Sequence, residues 1–477
     1  MRPRSTHFVA AVALLSVASW PARAQTDTSF KLSTTNPAAT SEFRAGMADY
    51  GNLSFESAAA HFKAASRADA NFGLARVLYA STSGELTPAQ QETELARGIA
   101  DAARGTSNEL ILAVAYREAA LGHTDAANAL YRAAAQLMPN DPLVGFAATG
   151  GFGAPLPAIR EYVARHPQAA IGYNMLAYRE WLGGDRAAGL AAARRQIELL
   201  PNAPNPHDTY AEILQWNGNF ADATVQYKQA ASLSPRFPEA YAGLAEVAVL
   251  QGQYDQARSY LNQAIANAWS PAQKLGYMRQ IVGTYMVQDA TPDAIAKSIE
   301  AAIAEAKAQG DTRTTPVLYA QLATVHATAN NANAAHQDIA TAKAAAADVP
   351  WNVHYYGAMA HGLMKHWSPA AQELAALKAQ AAKDPNSVPK DWLIALEGYQ
   401  LTQQGKAADA LKLLMTADTT NVLIMNRIAE AHAALGHTTE AAAWNNRVNS
   451  DYSINLQDFT NVASRRRAKR ETRTATR

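Results

Sequence analysis

The apolar positions of this chain follow a helical pattern, and nowhere do β-branched residues alternate with polar ones over the length of a strand. That pattern predicts helices and almost no sheet. Alanine-rich runs such as "AHQDIATAKAAAAD" strengthen the expectation, because alanine is the best helix former. Three consecutive stretches then share one layout: "IGYNMLAYREWLGGDRAAGLAAARRQIELLP", "PHDTYAEILQWNGNFADATVQYKQAASLSP" and "EAYAGLAEVAVLQGQYDQARSYLNQAIANAW". Their glycines, Gly184, Gly218 and Gly252, stand 34 residues apart twice in succession. Ala177, Ala211 and Ala245 keep that spacing seven residues earlier, and Gly189, Ala223 and Ala257 keep it five residues later. Physically this is a helical hairpin. Each glycine ends a first helix in a left-handed conformation that satisfies orphan carbonyls without steric cost. The small residues fall where the two helices cross; a leucine there would overpack the crossing at about 1–3 kcal/mol. Phe220, Tyr227, Tyr254 and Leu261 are expected around the crossing, and Pro201 and Pro235 interrupt the second helix before the next hairpin. One hairpin cannot bury its own apolar face, so neighbours must stack.

Spacing and residue types together resemble the tetratricopeptide repeat, a helix-turn-helix unit of about 34 residues. The resemblance is strongest from Ala170 to Ser270. It recurs in "FRAGMADYGNLSFESAAAHFKAASRADANF" and "ILAVAYREAALGHTDAANALYRAAAQLMPND", and more weakly from Pro316 onward. Arg186 and Ala193 stand where the family usually has aromatics, Trp269 replaces a proline, and segments near 73–105, 142–167 and 272–312 keep only a helical pattern. The resemblance implies an all-α, right-handed superhelical solenoid of antiparallel helix pairs, about twelve of them. The expected organisation is a signal peptide at 1–24, a flexible segment at 25–38 and divergent repeats at 39–169. A core array follows at 170–271, a divergent pair at 272–315, C-terminal repeats with a capping helix at 316–463, and a disordered basic tail at 464–477.

Composition sharpens this picture at the two ends. A basic leader "MRPRSTH", the apolar segment "FVAAVALLSVASW" and Ala22-Arg23-Ala24 before Gln25 have the form of a secretory signal. An exported, periplasmic or secreted protein is therefore expected, with retention as an anchor the alternative. With no cysteine, the chain has no disulfide framework, no lipidation site at a cysteine, and no thiolate ligand or nucleophile. Without Arg2, Arg4 and Arg23 the chain holds 39 basic against 41 acidic residues, and "SRRRAKRETRTATR" carries seven of the basic ones. That tail is expected to be a solvated end, with peripheral contact to an anionic envelope surface as the alternative. No aromatic residue interleaves with its arginines, so no nucleic-acid partner is expected.

The stretch "HYYGAMAHGLMKHW" raises metal binding. His354 and His361 would lie about 10.5 Å apart along one helix, too far to share an ion. His361 falls at a repeat position also held by His326 and His432, as packing would require. Neither metal nor cofactor is expected. No H-E-x-x-H, G-x-S-x-G or P-loop string occurs, and "GGFGAP" at Gly150 follows no strand. The chain is therefore read as non-enzymatic.

If the register holds, the exposed side of successive first helices lines a groove carrying Asn174, Tyr178 and Trp181, then Asp208, Glu212 and Trp216, then Glu239 and Glu246. Carboxylates beside large aromatics suit a basic or amphipathic protein or peptide partner. Some family members hold a partner's C-terminal carboxylate with lysine and asparagine, but those places here are mostly acidic or apolar. The expected role is an exported scaffold or adaptor for protein or peptide binding in the envelope. The rivals are a structural accessory of an envelope assembly or secretion complex, and a histidine-dependent metal-binding protein.

Overall fold

The computed structural model describes residues 30–385 and 387–475; the expected signal peptide lies outside them. Among the described residues there are 25 α-helices, one short 3-10 turn and no strand. The N-terminal group is α1 (Pro37–Gly51), α2 (Phe55–Ala68), α3 (Gly73–Thr82), α4 (Pro88–Ala102), α5 (Ser107–Ala120), α6 (Thr124–Leu137), α7 (Pro142–Ala148) and α8 (Leu156–Arg165). The central array is α9 (Ala170–Leu182), α10 (Arg186–Leu199), α11 (Pro204–Trp216), α12 (Phe220–Leu233), α13 (Pro238–Leu250) and α14 (Tyr254–Ala266). A longer pair, α15 (Pro271–Val287) and α16 (Pro292–Ala308), follows. The C-terminal group is α17 (Thr314–Thr328), α18 (Ala332–Ala344), α19 (Trp351–Leu363), α20 (Trp367–Lys383), α21 (Lys390–Gln403), α22 (Ala407–Leu414), α23 (Val422–Ala434) and α24 (Thr438–Asn449). The last helix, α25, spans Phe459–Ala475.

All but one of the hairpins turn on a left-handed residue, α3 with α4 being the exception. Gly184, Gly218 and Gly252 have φ of 94°, 81° and 78°, and the amide after each bonds back to a carbonyl of the first helix: Asp185 N to Glu180 O at 3.0 Å, Asn219 N to Leu214 O at 2.9 Å, Gln253 N to Ala248 O at 2.7 Å. Asp289, Asn330 and Lys365 take the same conformation in later hairpins, at a cost of roughly 1–2 kcal/mol each. At the crossings Ala177, Ala193, Ala211, Ala223, Ala245 and Ala257 are fully buried. A Cβ on Gly189 would sit 3.0 Å from the Ala177 carbonyl, so those backbones are in near contact. Tyr227 and Leu261 are buried wedges beside them.

Helices α9, α11 and α13 pack in sequence, each first helix touching the next. This is a solenoid. An apolar core runs from Phe30 to Met175, and a second from Ala245 to Val462, with smaller clusters through the central array between them. The divergent segments 73–105 and 272–312 are hairpins, α3 with α4 and α15 with α16, whereas 142–167 holds the short α7, a 3-10 turn and α8. No helix of the described residues is long and apolar enough to cross a membrane.

Both expected flexible ends require correction. Residues 30–36 are anchored: Phe30 is buried, the Ser33 amide donates to Glu109 Oε1 at 2.7 Å and the Thr34 hydroxyl donates to Asp69 Oδ2 at 2.5 Å. The basic run from Ser464 is not a disordered tail but the body of α25, which packs on α23, α24 and α15. Several of its charges are taken up by the fold. Arg465 is buried and donates to Asp451 Oδ1 at 3.1 Å, while Arg466 Nε and Arg470 Nε donate to Asp289 at 2.6 and 2.8 Å.

Candidate functional site

The side chains facing inward from α9, α11 and α13 bond to the next first helix along, about one repeat away. Tyr178 donates its hydroxyl to Glu212 Oε2 at 2.6 Å, Gln215 Nε2 donates to Glu246 Oε2 at 3.1 Å, and Gln273 Nε2 donates to Glu239 Oε1 at 2.8 Å. Trp216 packs between Trp181 and Tyr178, with centroid separations of 4.8 and 5.6 Å. The repeat period thus becomes a ladder of acids and aromatics. Asn174 differs from its neighbours: it is buried, and its amide is spent on Thr209 Oγ1 at 2.7 Å and Asn205. It braces the wall instead of presenting a contact.

The four carboxylates are poorly compensated. Among the described residues no cation comes within ion-pair distance of Asp208, Glu212, Glu239 or Glu246, and Asp208 Oδ1 is shut from solvent without a hydrogen-bond partner. Burial pushes the Glu246 carboxyl up to about 8, with Glu212 adding to the rise and Gln215 and Arg465 opposing it. Asp208 is raised well above the carboxylate range by burial and then by Glu212, Glu239 and Glu246. Glu212 and Glu239 are raised chiefly by burial, against hydrogen bonds from Tyr178 and Gln273. At neutral pH Glu246 therefore holds a proton that an arriving cation would displace.

Residues 185–273 match the tetratricopeptide repeat profile. That segment of the chain carries tetratricopeptide repeats. Among solved structures, this repeat protein is similar to a thermophilic TPR protein of Thermus thermophilus, 23% identical, with 36% of this chain and 97% of that one covered at a TM-score of 0.32. A tetratricopeptide repeat protein from Parabacteroides merdae is 13% identical, with coverage of 62% and 100% and a TM-score of 0.36. A chain of an APC/C hetero-tetramer is 13% identical, with coverage of 90% and 76% and a TM-score of 0.45. No curated protein matches in sequence.

Two elements of the repeat protein's site lie outside its sequence pattern. Gln215 is fully buried, accepting from the Tyr227 hydroxyl at 3.1 Å while its amide holds Glu246. The other is the C-terminal segment, which returns to the central array: Tyr452 packs edge-on against Phe220 at 5.1 Å, the Leu456 carbonyl lies against Gly283, and Lys469 Nζ donates to the Tyr254 hydroxyl at 2.5 Å. A basic helix of the chain itself is therefore seated at the end of the central array, near enough for Arg465 to oppose the rise at Glu246. Phe459 and Val462, three residues apart just ahead of the arginines, are the available signal for it.

Proposed function

We propose that this protein is an exported, non-catalytic scaffold of the cell envelope. It binds a basic or amphipathic segment of a partner protein along the ladder of Tyr178, Trp181, Asp208, Glu212, Trp216, Glu239 and Glu246. Tetratricopeptide repeats support protein binding, and the observation that carries the reading is the set of four carboxylates without a cationic partner. A lysine or arginine entering beside them would supply the missing charge and lower their affinity for protons. Aromatic rings stacked alongside give the aliphatic stems of such side chains a surface to cover. The leader expected at 1–24 supports delivery to the envelope.

The test is capture from envelope extract by the chain from residue 25 onward, run beside a Glu212→Gln, Glu246→Gln double variant whose helicity and melting are checked first. Partners retained by the parent and lost by the variant support the ladder as the working surface. Partners retained equally by both move the function to the outer helices.

A further inference from the structure

The hairpin stack brings three histidines together from separate elements. His336 projects from α18, His361 from the end of α19, and His366 stands just before α20. One ring nitrogen from each lies within 4.8 Å of the other two. The turn between α19 and α20 passes through Lys365 in a left-handed conformation, and the His366 amide bonds back to the His361 carbonyl at 2.8 Å. That geometry folds His366 back toward His361, while stacking of the preceding hairpin supplies His336.

We propose that His336, His361 and His366 form a binding site for a divalent transition metal, zinc or copper foremost. Three imidazoles with no carboxylate or thiolate suit these borderline ions over calcium or magnesium. The distances support it. Donors at about 2.0–2.1 Å from a tetrahedral ion lie about 3.3 Å apart, and His336 Nε2 and His366 Nδ1 are already 3.2 Å apart. His361 is 7% exposed, and its Nδ1 is buried without a hydrogen-bond partner. His336 is exposed, which gives a metal access from solvent and leaves a fourth position for water.

His354, from the same helix, takes no part, because its Nδ1 is engaged by Glu373 Oε2 at 2.7 Å. The pair His432 and His437, with Nδ1 atoms 3.3 Å apart, repeats two of the three positions but has no third histidine, and serves as an internal control.

The experiment is calorimetric titration of the purified chain, prepared without a polyhistidine tag, with zinc and separately with copper. Single variants His336→Ala, His366→Ala and His437→Ala are titrated alongside. The expected result is one ion per chain and a raised melting temperature. Affinity should fall about 100-fold or more in His336→Ala and His366→Ala, since even outer-sphere losses cost 10–100-fold, and should be unchanged in His437→Ala. Because His336 is exposed, His336→Ala keeps the fold, and its circular dichroism verifies that. No saturable binding, or equal affinity in His336→Ala and the parent, would overturn the site.

Discussion

Replacing Glu246 with glutamine should stabilise the protein, and increasingly so as pH rises. The carboxyl sits among Glu212, Gln215 and the more distant Arg465 and holds its proton up to about 8, against an ordinary 4.5. The folded chain therefore keeps this proton at pH values where the unfolded chain has released it. Stability contributed by the protonated form is intact below the ordinary carboxylate range and is lost as pH rises from there through about 8. At about 1.4 kcal/mol for each tenfold step, the gap sets a ceiling of roughly 5 kcal/mol. Glu246 keeps some contact with solvent, and screening there reduces the expected value to roughly 2 kcal/mol. Glutamine keeps the shape and can still accept from Gln215 without ionising. Guanidinium midpoints of parent and variant, measured at pH 5 and pH 8.5, should show the variant's advantage growing by about that amount. An advantage that stays constant or shrinks with pH would refute the placement of Glu246 in an uncompensated acidic surface.

Gly243→Ala should destabilise the central array by about 1–3 kcal/mol, because its Cβ would meet the Tyr227 ring at 2.1 Å; thermal melting reads this directly. Gly283→Ala should detach the C-terminal segment, since the new Cβ would lie 2.1 Å from the Leu456 carbonyl oxygen; trypsin should then cut at residues 465–470 much faster than in the parent, with the rest of the chain intact. Asp289→Ala should also speed that cleavage, more modestly, by removing the acceptor shared by Arg466 and Arg470.

The repeat is legible in the sequence because its determinants are local. A left-handed glycine and two small residues at a crossing recur with the hairpin itself, so the spacing of Gly184, Gly218 and Gly252 and their alanines is enough to mark the architecture. The acidic ladder follows from the same register, as each inward side chain meets one about 34 residues away. Contacts between distant hairpins carry no such period. Arg466 meets Asp289 across 177 residues, and a run of arginines usually marks a solvated end, so the sequence alone points to a tail where the fold has a packed helix. The histidine cluster is hidden for a related reason. Spacing along one helix separates His354 from His361, whereas one partner of His361 comes from the preceding hairpin and the other from beyond a turn.

The most direct test of the proposed scaffold role is a fluorescence-anisotropy titration of a labelled, arginine- and lysine-rich amphipathic peptide into the parent chain and the Glu212→Gln, Glu246→Gln variant, at pH 6.5 and pH 8.5. If the ladder is the binding surface, the parent binds more tightly at pH 8.5, above the value of about 8 at which Glu246 gives up its proton, and the variant binds about tenfold more weakly with little dependence on pH. Equal binding by parent and variant at both pH values would contradict the account.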